Sequence, residues 1–213
     1  MLVFLPAERA DPVRDDWASK VFIQDVAVED VSDELGVFGV HGPKSTEKIA
    51  SVLAGPGAPE PPLTFVRGTM VDAGVTVIAT DAPLGEEGYE VVCAAADAPA
   101  VFDTLVNRGL NAAPFGYRTW DALALEAGTP QFEHELAETI PNVVGIRNAL
   151  DFEKGCYVGQ EVVSRVENQG RPSRRLVGLT LSGLADAVAA IDGDADPDAV
   201  DEVLPAAGAA VFD

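Results

Sequence analysis

The segment Lys154-Gly155-Cys156-Tyr157-Val158-Gly159-Gln160-Glu161 sets one thiol between two glycines and beside a cation. Gly155 and Gly159 let the backbone turn tightly, which would hold Cys156 at a loop apex. A nearby cation, Lys154 or Arg165, favours thiolate over thiol, and the thiolate is the form that attacks or binds metal. The plainer reading is a small buried Cys in a turn. Charge marks out the same stretch. Between residues 154 and 175 there are five basic and two acidic residues, a local +3 inside a chain of net charge −21. Such a reversal points to an anion site or to a contact with the acidic remainder of the fold.

Other chemistries fail on residue type or spacing. Cys93 and Cys156 are the only cysteines, too few for a disulfide framework or a four-thiolate cluster. No stable metal or iron–sulfur cluster is therefore expected. His41 and His134 each lack a spaced partner, so a surface or capping role is expected of both. Asp192-Gly193-Asp194-Ala195-Asp196-Pro197-Asp198 has the acidic rhythm of a calcium loop. However, Pro197 stands where the sharp turn needs Gly, and Val203 falls on the bidentate twelfth position. It reads as a solvated acidic loop. Cys93 lies in an apolar stretch and reads as core.

The 213 residues are 47 % apolar, which supplies a core and argues against wholesale disorder. No run approaches the length of a membrane span, and no basic region precedes an apolar one at the N-terminus. A cytoplasmic protein without a membrane partner is expected. Fourteen basic residues stand against 35 acidic ones, and only four are Lys. Molar salt would screen that self-repulsion to within about 3 Å, so the composition reads as halophilic adaptation to a salt-rich cytosol. Free nucleic acid is disfavoured as a partner, because phosphates would meet like charge.

The elements that must position these residues mix strands and helices without regular βαβ alternation, so the expected class is α+β, with a mixed or antiparallel sheet and packed helices. Residues 20–31 alternate and read as a strand or strand pair, with a second short strand at 35–40. Ser45 is a plausible cap for a helix over 46–54. Residues 64–70 and 75–80 flank Asp72-Ala73-Gly74 as a hairpin with a glycine turn, and 88–93 reads as another strand. Helices are expected over 98–107 and 117–127, the latter with Trp120, Leu123 and Ala127 on its apolar face. Residues 129–150 read as irregular, and 160–166 and 175–181 as strands.

KGCYVGQEVVSR, followed after a short spacer by GRPSRRL, resembles the signature of the YgfZ family of folate-binding proteins, relatives of the glycine-cleavage T-protein. Further likeness is spread along the chain: GVHGPKS at 39–45, LGEEGYE at 84–90, WDALALEAGTP at 120–130 and AAGAAVFD at 206–213. The resemblance implies a folate-binding α+β domain over residues 1–172. The start of a small C-terminal β-barrel would follow over 173–213, with an acidic loop at 183–205. It also implies that the chain begins inside the family's first domain, downstream of the T-protein's catalytic Asp.

The same resemblance implies tetrahydrofolate as the small-molecule partner. Glu86 occupies the position of the carboxylate that hydrogen-bonds the pterin ring, with Tyr89 beside it. The Arg expected in the helix before LEAG is replaced by Trp120 and Ala124, and the nearest Arg is Arg118. Lys154, Tyr157, Gln160, Glu161 and Arg165 are the expected contacts from the second motif, with Cys156 as the functional thiol. Two activities follow. One is support of iron–sulfur cluster assembly or repair, with client or assembly proteins as partners. The other is aminomethyltransferase chemistry, moving a one-carbon unit from a lipoyl carrier protein to tetrahydrofolate. A non-catalytic binding module is the third reading.

Overall fold

The computed structural model describes residues 1–182 and 208–212, apart from residues 24, 61, 133, 137, 138, 171 and 173. The chain divides into two compact units, Met1–Gly116 and Tyr117–Asp213. In the first, α1 (Ala7–Ala18) precedes β1 (Leu35–His41), α2 (Ser45–Val52), β2 (Phe65–Met70), β3 (Ala73–Ala79), β4 (Gly88–Ala94) and α3 (Ala98–Asn107). The four strands form one antiparallel sheet in the order β1-β4-β3-β2. This is the expected α+β arrangement.

One face of the sheet makes the core. Tyr89, Val91 and Cys93 alternate along β4, and with Val75 and Val77 of β3 they pack in one cluster with Ile49 of α2, Leu53 just past its end, and Val101 and Leu105 of α3. Burying each such aliphatic side chain contributes about 1.5–3 kcal/mol. Close approach of α3 to β1 depends on Gly36, where a Cβ would lie 2.9 Å from the Cβ of Ala98. Cys93 is core, as expected, and its thiol faces the Gly36 carbonyl at 3.7 Å. Burial, and secondarily the charge of Asp97, pushes that thiol up from its ordinary pKa.

Several local expectations change. The described part of 20–31 forms no strand, and Phe22 and Ile23 stay 85 % and 96 % exposed. Alternation specifies a strand only where a neighbour supplies the ladder and one face is buried. Ser45 is not a cap: it opens α2, is buried, and its hydroxyl donates to the Glu87 carbonyl at 2.9 Å. The hairpin turns on Val71 and Asp72, at φ +49° and +67°, because β3 starts at Ala73 and leaves a two-residue loop. Both residues take the left-handed conformation that such a loop demands. α1, with Pro12 inside it and no buried residue, left no apolar periodicity to read.

In the second unit α4 (Tyr117–Ala127) has the expected bounds, but Ala124 is its buried residue and Ala127 is exposed. A one-turn α5 (Pro141–Val144) follows in the irregular region. Residues 160–166 belong to α6 (Gln160–Gln169), not to a strand. Gly159, at φ +87°, opens that helix, and Glu161 in its first turn complements the helix dipole. Buried Val163 and half-buried Val166 lie three residues apart on one helical face. β5 (Gly178–Ser182) pairs antiparallel with β6 (Gly208–Phe212). The acidic stretch 183–205 falls outside the described residues. Among those described, no helix is long and apolar enough to cross a membrane, and no three His, Cys, Asp or Glu side chains gather as metal ligands.

Candidate functional site

The candidate residues fall into two groups, one in each unit. In the first unit, Gly85 at φ +79° and Ala82 at φ +45° close a tight turn through a 2.9 Å bond from Gly85 N–H to the Ala82 carbonyl. The turn leaves Glu86 exposed just ahead of β4. It is tied to the start of α2 at three points. Gly42 N–H donates to the Glu87 carbonyl at 3.0 Å, and Ser45 Oγ does so at 2.9 Å. Thr46 Oγ1 lies 2.7 Å from Glu87 Oε2 and 2.7 Å from Tyr89 Oη. The carboxylate only accepts, so Thr46 donates to it and receives from the Tyr89 phenol. Tyr89, expected as a ligand contact, is buried on the core face and serves this network.

Register reveals a residue the sequence reading passed over. Glu90 follows buried Tyr89 and so faces away from α2 and α3, paired with Gly39 on one side and Ile78 on the other. It is half-buried in the middle of the sheet's second face, where Val37 and Phe65 are exposed. His41 shares that face opposite Gly88, and a Cβ at Gly39 would lie 2.7 Å from its Nε2. The imidazole thus lies over the two glycines, half-buried rather than on the surface. Burial holds its pKa below the ordinary histidine value. The signal in the sequence was G-x-H opposite G-x-E, legible only once the pairing of β1 with β4 is known.

Lys48 is a second missed residue. It is 3 % exposed, and its Nζ donates to the carbonyls of Thr104 (3.3 Å), Leu110 (2.6 Å) and Arg108, closing the C-terminal end of α3. A cation there meets the negative end of the helix dipole. Burial pushes its pKa down.

In the second unit, Arg118 is exposed in the first turn of α4 and Trp120 is half-buried. Trp120 Nε1–H donates to Gln131 Oε1 at 2.8 Å, and Gln131 Nε2 donates to the Thr129 carbonyl at 3.1 Å. The indole is anchored by its own neighbourhood. Cys156 is exposed, which overturns the plainer reading of a buried thiol. Lys154 Nζ stands 4.7 Å from the centroid of the Tyr157 ring, a cation–π contact. Gln160 Oε1 accepts from Tyr157 N–H at 3.1 Å, and Glu161 and Arg165 are exposed on α6.

The first unit is thus an α+β domain, an antiparallel sheet backed by helices with a carboxylate-bearing turn ahead of a central strand. Residues 6–154 match the GCVT N-terminal domain, so the chain belongs to the glycine-cleavage T-protein family. An aminomethyltransferase of Halalkalibacterium halodurans is 31 % identical over 169 residues, covering 78 % of this chain and 46 % of that protein. One from Rubrobacter xylanophilus is 34 % identical over 161 residues, 75 % of this chain and 42 % of its own length. A putative chloroplastic transferase of Arabidopsis thaliana is 29 % identical over 163 residues, 76 % of this chain and 37 % of its own. The chain thus spans about half the length, or less, of the curated relatives it matches.

Proposed function

We propose that the chain binds tetrahydrofolate on its first unit and acts as the folate-handling part of an aminomethyltransferase-type one-carbon transferase. The observation that carries this reading is the pair of carboxylates around the turn into β4, inside the segment that matches the GCVT N-terminal domain. Glu86 is exposed on the turn, and Glu90 is half-buried on the open sheet face beside side-chain-free Gly39. A pterin ring presents adjacent N–H donors, and a carboxylate is the matching acceptor. Glu90 has the stronger claim, because a partly buried acceptor is less screened than one in open solvent. Tyr89 and Thr46 position the turn, and the sheet face beside the His41 imidazole, around Ile78 and exposed Phe65, supports the ring. Catalysis would come from orientation at the folate nitrogen. A lipoyl carrier protein is the proposed donor and the cytoplasm, salt-rich, the proposed setting.

An anaerobic tetrahydrofolate titration in molar KCl tests this, with Trp17 and Trp120 fluorescence as readout. Saturable binding is expected, weakened at least tenfold by Glu90→Gln and less by Glu86→Gln. Wild-type protein that is folded and shows no binding overturns the reading.

A second reading rests on one specific observation, the exposure of Cys156 between Gly155 and Tyr157. It takes the chain as a YgfZ-like accessory protein whose thiol supports iron–sulfur cluster assembly or repair in client proteins. Arg118, Trp120, Lys154, Tyr157, Gln160, Glu161 and Arg165 are carried under either reading as proposed ligand contacts of the second unit. β5 and β6 are proposed as the opening of a small barrel. Cys156→Ala in the source organism should lower the activity of cluster-dependent enzymes, and undiminished activity removes this reading.

A further inference from the structure

The four strands of the first unit hold a single carboxylate, Glu90, and a single permanent cation, Arg67. Register puts both on the sheet's second face. Tyr89 and Val91 on either side of Glu90, and Val66 next to Arg67, turn toward the core, so Glu90 and Arg67 point the other way. Glu90 pairs with Ile78 of β3, and Ile78 pairs with Phe65 of β2, which sets the three in one row across the sheet. Arg67 is two residues further along β2, opposite Thr76. With strands about 4.8 Å apart and a rise of about 3.4 Å per residue, the α-carbons of Glu90 and Arg67 are about 12 Å apart. Among the described residues no ion pair to either side chain forms. What holds Arg67 is an aromatic ring: its Cζ stands 5.9 Å from the centroid of Phe65, which is 60 % exposed. Arg67 is itself exposed, so the ring steadies the guanidinium while its N–H donors face solvent.

A carboxylate and a cation on one face, held apart by Ile78 and Phe65, fit a ligand with N–H donors at one end and an anion at the other. Tetrahydrofolate has that layout: pterin N–H groups, then an aromatic benzoyl ring, then a glutamate with two carboxylates. We propose that Arg67 takes a tail carboxylate of the tetrahydrofolate whose pterin meets Glu90, and that this contact makes the site prefer folates to pterins without the tail. The proposal rests on the folate reading above and adds the direction in which the ligand runs, past Ile78 and Phe65 to β2. The guanidinium donates two parallel N–H bonds to a carboxylate, and the Phe65 ring offers the benzoyl group an aromatic neighbour. A chain of net charge −21 repels a dianionic tail, and Arg67 is the cation on this face that offsets the repulsion.

Anaerobic calorimetric titration of the full chain with tetrahydrofolate, and with tetrahydrobiopterin, which lacks the benzoyl-glutamate tail, tests this. The KCl concentration is the lowest at which circular dichroism shows the chain folded, because salt screens an exposed ion pair. Wild type should bind tetrahydrofolate about fivefold more tightly than tetrahydrobiopterin. Arg67→Gln should erase that preference by weakening tetrahydrofolate alone, and Arg67→Lys should keep part of it. Added KCl should narrow the preference of wild type and leave Arg67→Gln unmoved. Arg67 is exposed, so both variants should keep the wild-type spectrum, and the comparison of ligands on wild type needs no variant. Glu90→Gln should weaken both ligands to the same degree. Equal affinity of wild type for the two ligands, a preference that survives Arg67→Gln, or an equal loss of both ligands in Arg67→Gln would overturn the proposal and leave the folate reading standing. Folded wild type that binds neither ligand would overturn the folate reading and the proposal with it.

Discussion

The phenol of Tyr89 and the hydroxyl of Thr46 lie 2.7 Å apart, joining the first turn of α2 to the start of β4 across the edge of the core. Thr46 passes the interaction on to Glu87 Oε2, also at 2.7 Å. A hydroxyl that receives from one partner and donates to another fixes both, so the turn carrying Glu86 is held by a side chain 40 positions earlier in sequence.

Thr46→Val keeps the shape and removes both bonds, leaving the buried phenol without its acceptor. A loss of about 1–3 kcal/mol is expected in denaturant unfolding in molar KCl. Tyr89→Phe removes only the phenol's donation to Thr46 and should cost about 1 kcal/mol. Under the folate reading, Thr46→Val should also weaken tetrahydrofolate binding, because Glu86 and Glu87 lose their tether. Equal stabilities for Thr46→Val and wild type would show that the network contributes nothing.

His41 gives the fold an acid-side sensitivity. Its folded-state pKa lies below the unfolded value through burial. Between the two, the unfolded chain binds more protons, so this contribution to stability is fully present above about pH 6.5 and is lost as pH falls below it. His41→Asn should flatten that part of the stability–pH curve, measured by thermal melts from pH 7.5 to 5 in molar KCl. Gly88→Ala should destabilise at every pH by about 1–3 kcal/mol, since the added methyl would meet the imidazole and Thr80 Oγ1.

What was legible in the sequence divides along physical lines. The strands read at 35–40 and 88–93 and the helices at 98–107 and 117–127 were legible from their apolar spacing, which β4 and α3 answer with burial, whereas α4 buries Ala124 in place of the expected Ala127. Residues 160–166 were misread because adjacent Val162 and Val163 look like a strand, although Val163 alone is buried. Of the candidate site, Glu86 and Cys156 were visible as residue types in glycine-bounded turns. Glu90, His41 and Lys48 were not, since each gains its surroundings from a partner distant in sequence. Lys48 reads as an ordinary surface lysine until α3 is packed against α2.

The β2–β3 hairpin holds a correctable strain. Val71 sits at φ +49° and Asp72 at φ +67°. The left-handed conformation costs a β-branched residue about 1–2 kcal/mol, whereas Asn followed by Gly adopts this two-residue turn readily. Val71→Asn with Asp72→Gly should therefore stabilise the chain by about 1–2 kcal/mol without altering ligand binding. Differential scanning calorimetry reads the shift, and a lower melting temperature would contradict the turn assignment.

Lys48 makes the opposite case, a charge whose removal should be expensive although no ion pair to it forms among the described residues. Its ammonium supplies donors to the carbonyls of Thr104, Arg108 and Leu110, groups that the ends of helices otherwise leave to water. Lys48→Met preserves the buried stem and deletes every one of those bonds, so a loss of about 2–4 kcal/mol is expected. Lys48→Arg should recover little, because a planar guanidinium cannot aim its donors as the compact ammonium does. Hydrogen exchange separates this from a general loss of packing. The amides of residues 104–110 should lose protection in Lys48→Met well before those of β3 and β4. Uniform loss across the sheet would mean that Lys48 acts by filling space alone.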